Sequence, residues 1–100
     1  VQLILNTLVF GMDPQLAVDA PRFATANVAN SFFPHTYLPG VLELESGFPQ
    51  STIDALEARG HKMTHSANCG LGATVSVKDP ETGNLSTGAD PRRACYAMGL

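Results

Sequence analysis

His61, His65 and Cys69 are spaced four residues apart. On one helix that spacing would line two imidazoles and a thiol along a single face, a ligand set suited to zinc. Gly60 before them and the polar alternation after them predict a strand and a loop instead. No second Cys pair or paired carboxylate completes a site, so the plain reading is two surface histidines and a small buried thiol, with no metal and no cofactor. Cys69 or Cys95 as a nucleophile would need a base within hydrogen-bond reach, and sequence alone does not supply that reach. Gly70-Leu71-Gly72 lacks the longer glycine pattern and the Lys-Ser/Thr ending of a phosphate loop; these glycines let the backbone turn or pass close to a neighbour. Asp90 and Arg92 flank Pro91 at the end of a strand, where a salt bridge or an Asx-turn is favoured over catalysis. Arg22, between Pro21 and Phe23, carries the same two alternatives.

The elements that must position these groups begin with Val1 to Phe10, which predicts a helix apolar nearly all round and hence buried on more than one side. It starts at full hydrophobicity with no capping residue before it, so it reads as cut into rather than started, and as part of something longer. Gly11 suits its C-terminal cap. Asp13-Pro14 predicts the N-cap and first residue of a short second helix through Ala20, stopped by Pro21. Arg22 to Gly40 is a long connection with little regular signal. Val41 to Glu45 alternates as a strand, with Leu42 and Leu44 on one face and Glu43 and Glu45 on the other. A helix follows from about Gln50 to Arg59, facing Ile53 and Leu56 inward, and Gly60 caps it. His61 to Ser66 reads as a short polar strand.

The chain is organised around the stretch that comes next. Ala73, Val75 and Val77 alternate with polar residues, Asp79-Pro80-Glu81-Thr82-Gly83-Asn84 supplies a turn, and Leu85, Thr87 and Ala89 alternate on the way out. This is a β-hairpin with a longer loop, ended by Pro91, which has no N–H for a ladder. A lone hairpin is marginal in water, so the rest must cover it or pair with it. The fold class expected is α+β, an antiparallel sheet with helices packed on it.

Composition narrows the functional classes. The chain is 44% hydrophobic and 15% charged, as a globular chain is, and its net charge of −3 argues against a nucleic-acid partner. No apolar run approaches the roughly 20 residues of a membrane helix. Val1-Gln2-Leu3-Ile4 lacks the charged opening of a secretory signal. Asn84-Leu85-Ser86 fits a glycosylation sequon, a match short enough to be common by chance. Cys69 and Cys95 are too few for a disulfide framework, and a single bridge or two free thiols are equally open.

Three stretches together resemble one family. Asn6 to Phe23, NTLVFGMDPQLAVDAPRF, resembles the segment of γ-glutamyltransferases (glutathione hydrolases) that ends in Ala-Pro-Arg-Phe. Leu44-Glu45, Gly47-Phe48-Pro49, Leu56 and Gly60-His61-Lys62-Met63 are similar to that family's E-x-G-[FI]-x and L-x-x-x-G-H-x-V run. Gly83 to Arg93 resembles its G-x-L-x-G-A-[SA]-D-P-R-R signature. Beyond Arg93 the pattern departs, with Cys95 where the family has glycine and Leu100 where it has tyrosine.

The resemblance implies an N-terminal-nucleophile hydrolase of αββα sandwich architecture, whose precursor cleaves itself into two subunits. Residues 1–100 would be a single segment, the C-terminal portion of the small subunit and an incomplete domain. In the family an upstream Thr attacks the γ-glutamyl carbonyl with its own amine as base, and the acyl group passes to water or to an amino acid or peptide. That Thr is not in this chain, so no catalytic residue is assigned here. Arg22, Asp90, Pro91 and Arg92 match motif positions and are expected to serve packing and end-fixing of the sheet. The implied partners are the remainder of the precursor (large subunit and N-terminal part of the small subunit) and a γ-glutamyl small-molecule substrate, with no nucleic acid. The implied location is periplasmic, secreted or otherwise extracytoplasmic. Alone, the segment is expected to be inactive and prone to self-association. The alternatives are a related acylase or transpeptidase on the same scaffold, and a truncated interaction module that binds through its sheet face and the Phe32–Tyr37 loop.

Overall fold

The computed structural model describes residues 1–70 and 72–98 of the chain. Leu71 and Leu100, singled out above in the glycine lead-in and at the chain's end, lie outside the described residues. The chain divides into two compact units, one formed by residues 1–20 and 71–100, the other by residues 21–70.

In the first unit, the single helix expected over the first ten residues is instead a short α1 (Gln2–Ile4) that runs on as a π-helix, Leu5–Val9. Phe10 N–H reaches back five residues to the Leu5 carbonyl at 3.0 Å. The Thr7 hydroxyl supplies a physical reason: it donates to the Leu3 carbonyl at 2.9 Å, competing with the ladder at that turn. Burial on several sides is not seen either, since Leu8 and Phe10 are 71% and 69% exposed. Helix α2 (Pro14–Asp19) follows the sequence more closely. The Asp13 carboxylate accepts from the N–H groups of Gln15 (2.8 Å) and Leu16 (3.4 Å), while Pro14 occupies the first turn, where its missing N–H costs nothing.

The hairpin is β4 (Thr74–Lys78) and β5 (Leu85–Ala89), numbered after the strands of the second unit, and pairs antiparallel from Thr74↔Ala89 to Lys78↔Leu85. Val75 and Val77 are half-buried as their alternation predicts, but Leu85 is 69% exposed and the buried residue of β5 is Gly88. A Cβ at Gly88 would run into the Pro14 carbonyl and come within 2.7 Å of the Gln15 nitrogen. Close approach of α2 therefore decides which residues of β5 are covered.

In the second unit, the connection expected over residues 22–40 contains a strand of its own, β1 (Phe23–Ala26), and β2 (Leu38–Leu44) starts before Val41. Phe-Ala-Thr-Ala has too little apolar alternation to register as a strand. Pro39 and Gly40 sit where the β1–β2 register slips, a bulge that tolerates a residue without an N–H. Helix α3 (Gln50–Ala58) leads to β3 (Lys62–His65). Its end is a Schellman motif: Gly60, at φ +91°, donates to the Glu57 carbonyl, and His61 N–H donates to that of Leu56. The α+β class holds, but the pairing is more varied than one antiparallel sheet. β1 and β2 pair antiparallel, whereas β2 and β3 are parallel, because α3 carries the chain back to the starting end. The sheet order is β1-β2-β3, separate from β4-β5.

Candidate functional site

The motif residues at the end of β5 build a clasp in the first unit. Asp90 is fully buried, and its N–H donates to the Ala73 carbonyl at 3.0 Å, the last rung before Pro91. Its Oδ1 accepts from the Arg92 N–H at 2.9 Å, an Asx-turn around the proline, and lies 3.3 Å from Arg92 Nη1. The Arg92 guanidinium then fans onto the end of α2. Nη1 donates to the Val18 carbonyl at 2.7 Å, and Nη2 donates to those of Asp19 and Ala20, each at 3.1 Å. These are the carbonyls a helix end leaves without partners, and a cation is favoured there by the helix dipole. Gln15 completes the seam: its side-chain amide accepts from Ala89 N–H and donates to Ala89 C=O, both at 3.0 Å, as a neighbouring strand would.

The second unit holds its arginine differently. Arg22 and Glu45 are 7% and 4% exposed. Glu45 Oε2 accepts from Arg22 N–H at 3.0 Å, Oε1 accepts from Cys69 N–H at 2.9 Å, and Glu45 N–H returns a bond to the Arg22 carbonyl at 3.0 Å. Arg22 Nε lies 3.7 Å from Glu45 Oε1, an ion pair rather than a hydrogen bond. The expectation that Glu45 faces away from the core with Glu43 is corrected: it is buried just past the end of β2, tying the start of β1 and the loop before Cys69 to that strand.

The candidate nucleophiles and ligands do not converge. Both cysteines are free thiols, Cys69 buried and Cys95 half-buried. Burial pushes the Cys69 thiol up, the Glu45 and Glu43 carboxylates add to the rise, and a hydrogen bond with Ser66 only partly opposes it. A thiol held this way is a poor source of thiolate near neutral pH. His65 is exposed and His61 half-buried, and among the described residues no group of three His, Cys, Asp or Glu side chains could hold a metal ion. The one-face alignment that would have made His61, His65 and Cys69 ligands is lost because they fall before, on and after β3.

What the second unit does present is an open apolar pocket of about 320 Å³. Phe23, Leu42 and Leu44 line it from the sheet, and Phe48, Thr52, Leu56 and His61 line it from around α3. Among the described residues, no carboxylate, lysine or arginine lines it.

Sequence reasoning placed Arg22, Asp90, Pro91 and Arg92 on the motifs but missed Glu45, Gln15 and Gly88. Glu45 carried a signal, since it begins the E-x-G stretch. Gly88 carried one too, as the glycine before Ala89-Asp90 in the signature, whereas Gln15 carried none, because it acts on backbone that the fold brings alongside.

Comparison with known proteins agrees with this architecture. The gamma-glutamyltranspeptidase family profile matches residues 1–100. The glutathione hydrolase proenzyme of Escherichia coli (strain K12) is 32% identical over 91 residues, covering 91% of this chain and 14% of that protein. The acylase ACY 1 proenzyme of Pseudomonas sp. (strain V22) is 38% identical over 102 aligned residues, covering 99% of this chain and 16% of that protein. Among solved structures, the cephalosporin acylase from Bacillus halodurans superposes with a TM-score of 0.68 at 31% identity, over 95% of this chain and 16% of that one. The gamma-glutamyltranspeptidase from Pseudomonas nitroreducens shares the fold at a TM-score of 0.70 and 18% identity, over 99% of this chain and 47% of that one. The chain thus spans less than a fifth of the length of the curated relatives it matches. With the motif residues collinear and a profile match from end to end, the chain belongs to the gamma-glutamyltranspeptidase family.

Proposed function

We propose that this chain is the C-terminal scaffold segment of the small subunit of an N-terminal-nucleophile enzyme that cleaves or transfers γ-glutamyl groups. The observation that carries the reading is the collinear match over the whole chain to proenzymes several times its length. In such an enzyme a Thr in the missing part attacks the γ-glutamyl carbonyl, the amine leaves with a proton, and water or an acceptor amine releases the acyl group. The residues present here supply support. Asp90, Pro91 and Arg92 end the hairpin and fasten α2 to it, and Arg22 with Glu45 fastens the sheet of the second unit. On this reading the segment alone is inactive, and its partner is the rest of the precursor.

The test is to purify the full-length protein and assay a chromogenic γ-glutamyl anilide beside residues 1–100 expressed alone. Turnover by the mature two-subunit protein, with a small subunit that begins with Thr and ends in this segment, is the expected result. Turnover by the segment alone would overturn it.

One observation favours a second reading of the substrate. Identity to the acylase proenzymes, 38% and 37%, exceeds that to the glutathione hydrolase, 32%. An acylase of the same scaffold would remove the acyl side chain of a cephalosporin and leave the γ-glutamyl anilide untouched, so running both substrates in parallel separates the two.

A further inference from the structure

The apolar pocket between α3 and the β1-β2-β3 sheet is unexplained by the anchors already described. Leu44 at its floor is 1% exposed, while Phe23 remains 42% exposed. Protein interiors pack as densely as organic crystals, so an open apolar hollow of about 320 Å³ beside a half-buried helix face is room that something else fills. Its chemistry limits the occupant. A γ-glutamyl group carries an α-ammonium and an α-carboxylate, and among the described residues the lining offers Thr52 and His61 as its polar side chains, with no carboxylate, lysine or arginine to pair with either. The occupant is therefore an apolar group. Its source is indicated by length, because the curated relatives carry more than four fifths of their polypeptide outside the region this chain matches.

We infer that this pocket is a seat for an aromatic or branched aliphatic side chain from another part of the same precursor, and so a docking point between this segment and the rest of the enzyme. The inference rests on the reading that the chain is one segment of a longer precursor. Phe23 follows Arg22 directly and opens β1, so the Arg22–Glu45 anchor that fixes the start of β1 also fixes one wall of the seat.

The experiment uses the full-length protein with a photoreactive benzophenone amino acid at Thr52, which is exposed on the first turn of α3 and lines the pocket. Irradiation followed by peptide mapping is expected to give a cross-link to a peptide of the same protein outside residues 1–100. Cross-links confined to residues 1–100, to a second copy or to no peptide at all would overturn the inference. A second measurement is independent of that chemistry. Leu56→Trp fills the pocket, so an occupied seat predicts a fall in Tm on the order of 5 °C from overpacking, whereas an empty seat predicts a rise. Benzene, a probe of dry apolar cavities, is expected to leave the Tm of the unmodified protein unchanged; stabilisation by benzene would show a vacant ligand pocket and overturn the inference. If the intact protein is processed and turns over its substrate while the cross-link fails, only the seat is wrong. If no longer polypeptide carries this segment, the reading beneath it fails instead.

Discussion

Arg22 and Arg92, two arginines of the family motifs, each fasten one element to another beside a buried carboxylate, but they divide the work between geometry and charge differently. In the first unit Arg92 spreads its fork over three neutral carbonyls at the end of α2, with its side chain 18% exposed and Asp90 beside it. In the second unit Arg22 lies 8% exposed against a carboxylate that is 5% exposed and that accepts from the Arg22 and Cys69 N–H groups. Arg92 therefore adds geometry to its ion pair with Asp90, by satisfying helix-end acceptors. Arg22 works through charge, by making it tolerable to bury Glu45 where two amides need an acceptor. A planar fork is hard to replace in the first case, and an unpaired ion is hard to bury in the second.

The sharpest way to break this contrast is to remove the charge partner in the second unit. Arg22→Met removes the cation 3.7 Å from the buried Glu45 carboxylate and is expected to cost about 3–5 kcal/mol in chemical denaturation of the full-length protein. Adding Glu45→Gln to Arg22→Met keeps an acceptor for one backbone amide while removing the charge, and should recover a substantial part of that loss. If the double variant is no more stable than Arg22→Met, charge is not what the anchor depends on.

The corresponding change in the first unit is smaller. Arg92→Ala frees the carbonyls of Val18, Asp19 and Ala20 in a partly solvated place where water can replace the lost donors, and is expected to cost about 2–3 kcal/mol. Arg92→Lys should recover less than half, because a lysine keeps the charge near the helix end but cannot reach three acceptors at once. Full recovery by Lys would mean that the clasp is electrostatic after all, and the difference between the units would disappear.

Gly88 tests the same seam from the strand side. Gly88→Ala pushes a methyl group into the Pro14 carbonyl and should cost about 1–3 kcal/mol, through displacement of α2. Gly83→Ala is the control, since Gly83 sits at φ +75° with nothing near its Cβ position. Its cost is backbone strain of about 1 kcal/mol and should leave the Arg92 clasp untouched. Equal effects on the Arg92→Ala penalty in both glycine variants would show that α2 is not held at this point.

These anchors also mark what could be read from the chain alone. The hairpin, its turn, α2 with its Asp13 cap and the end of α3 at Gly60 were legible because each is specified by residues within a few positions of one another. The α+β class followed from their order. What escaped the sequence was set at a distance. β1 exists because β2 supplies its ladder, and β2–β3 run parallel because α3 reverses the path between them. Leu85 stands out in solvent because α2 covers Gly88 instead. Glu45 reads as the polar side of an alternating strand until the Arg22 and Cys69 amides are found against it. Arg22, Asp90 and Arg92 could be placed from their motifs, but which carbonyls and amides they serve is set by the fold.

The turn of the hairpin gives the smallest effect and the cleanest contrast with the buried ion pair. The Thr82 hydroxyl donates to Asp79 Oδ2 at 2.7 Å, while the N–H groups of Glu81 and Thr82 donate to Oδ1 at 2.8 and 3.3 Å. The Thr82 hydroxyl foremost, then the two amides, holds the Asp79 carboxyl below its ordinary range. The folded pKa is depressed, so the stabilisation is present in full above the unfolded value, about 3.9, and is lost as pH falls through the lower folded value. Asp79→Asn should therefore leave a small deficit at pH 7 that shrinks on acidification below that unfolded value. Asp79 is fully exposed, so the deficit should be the least of the series. A deficit that grows toward low pH would reverse the sign of this linkage, and it would place the charge that matters in this hairpin somewhere other than Asp79.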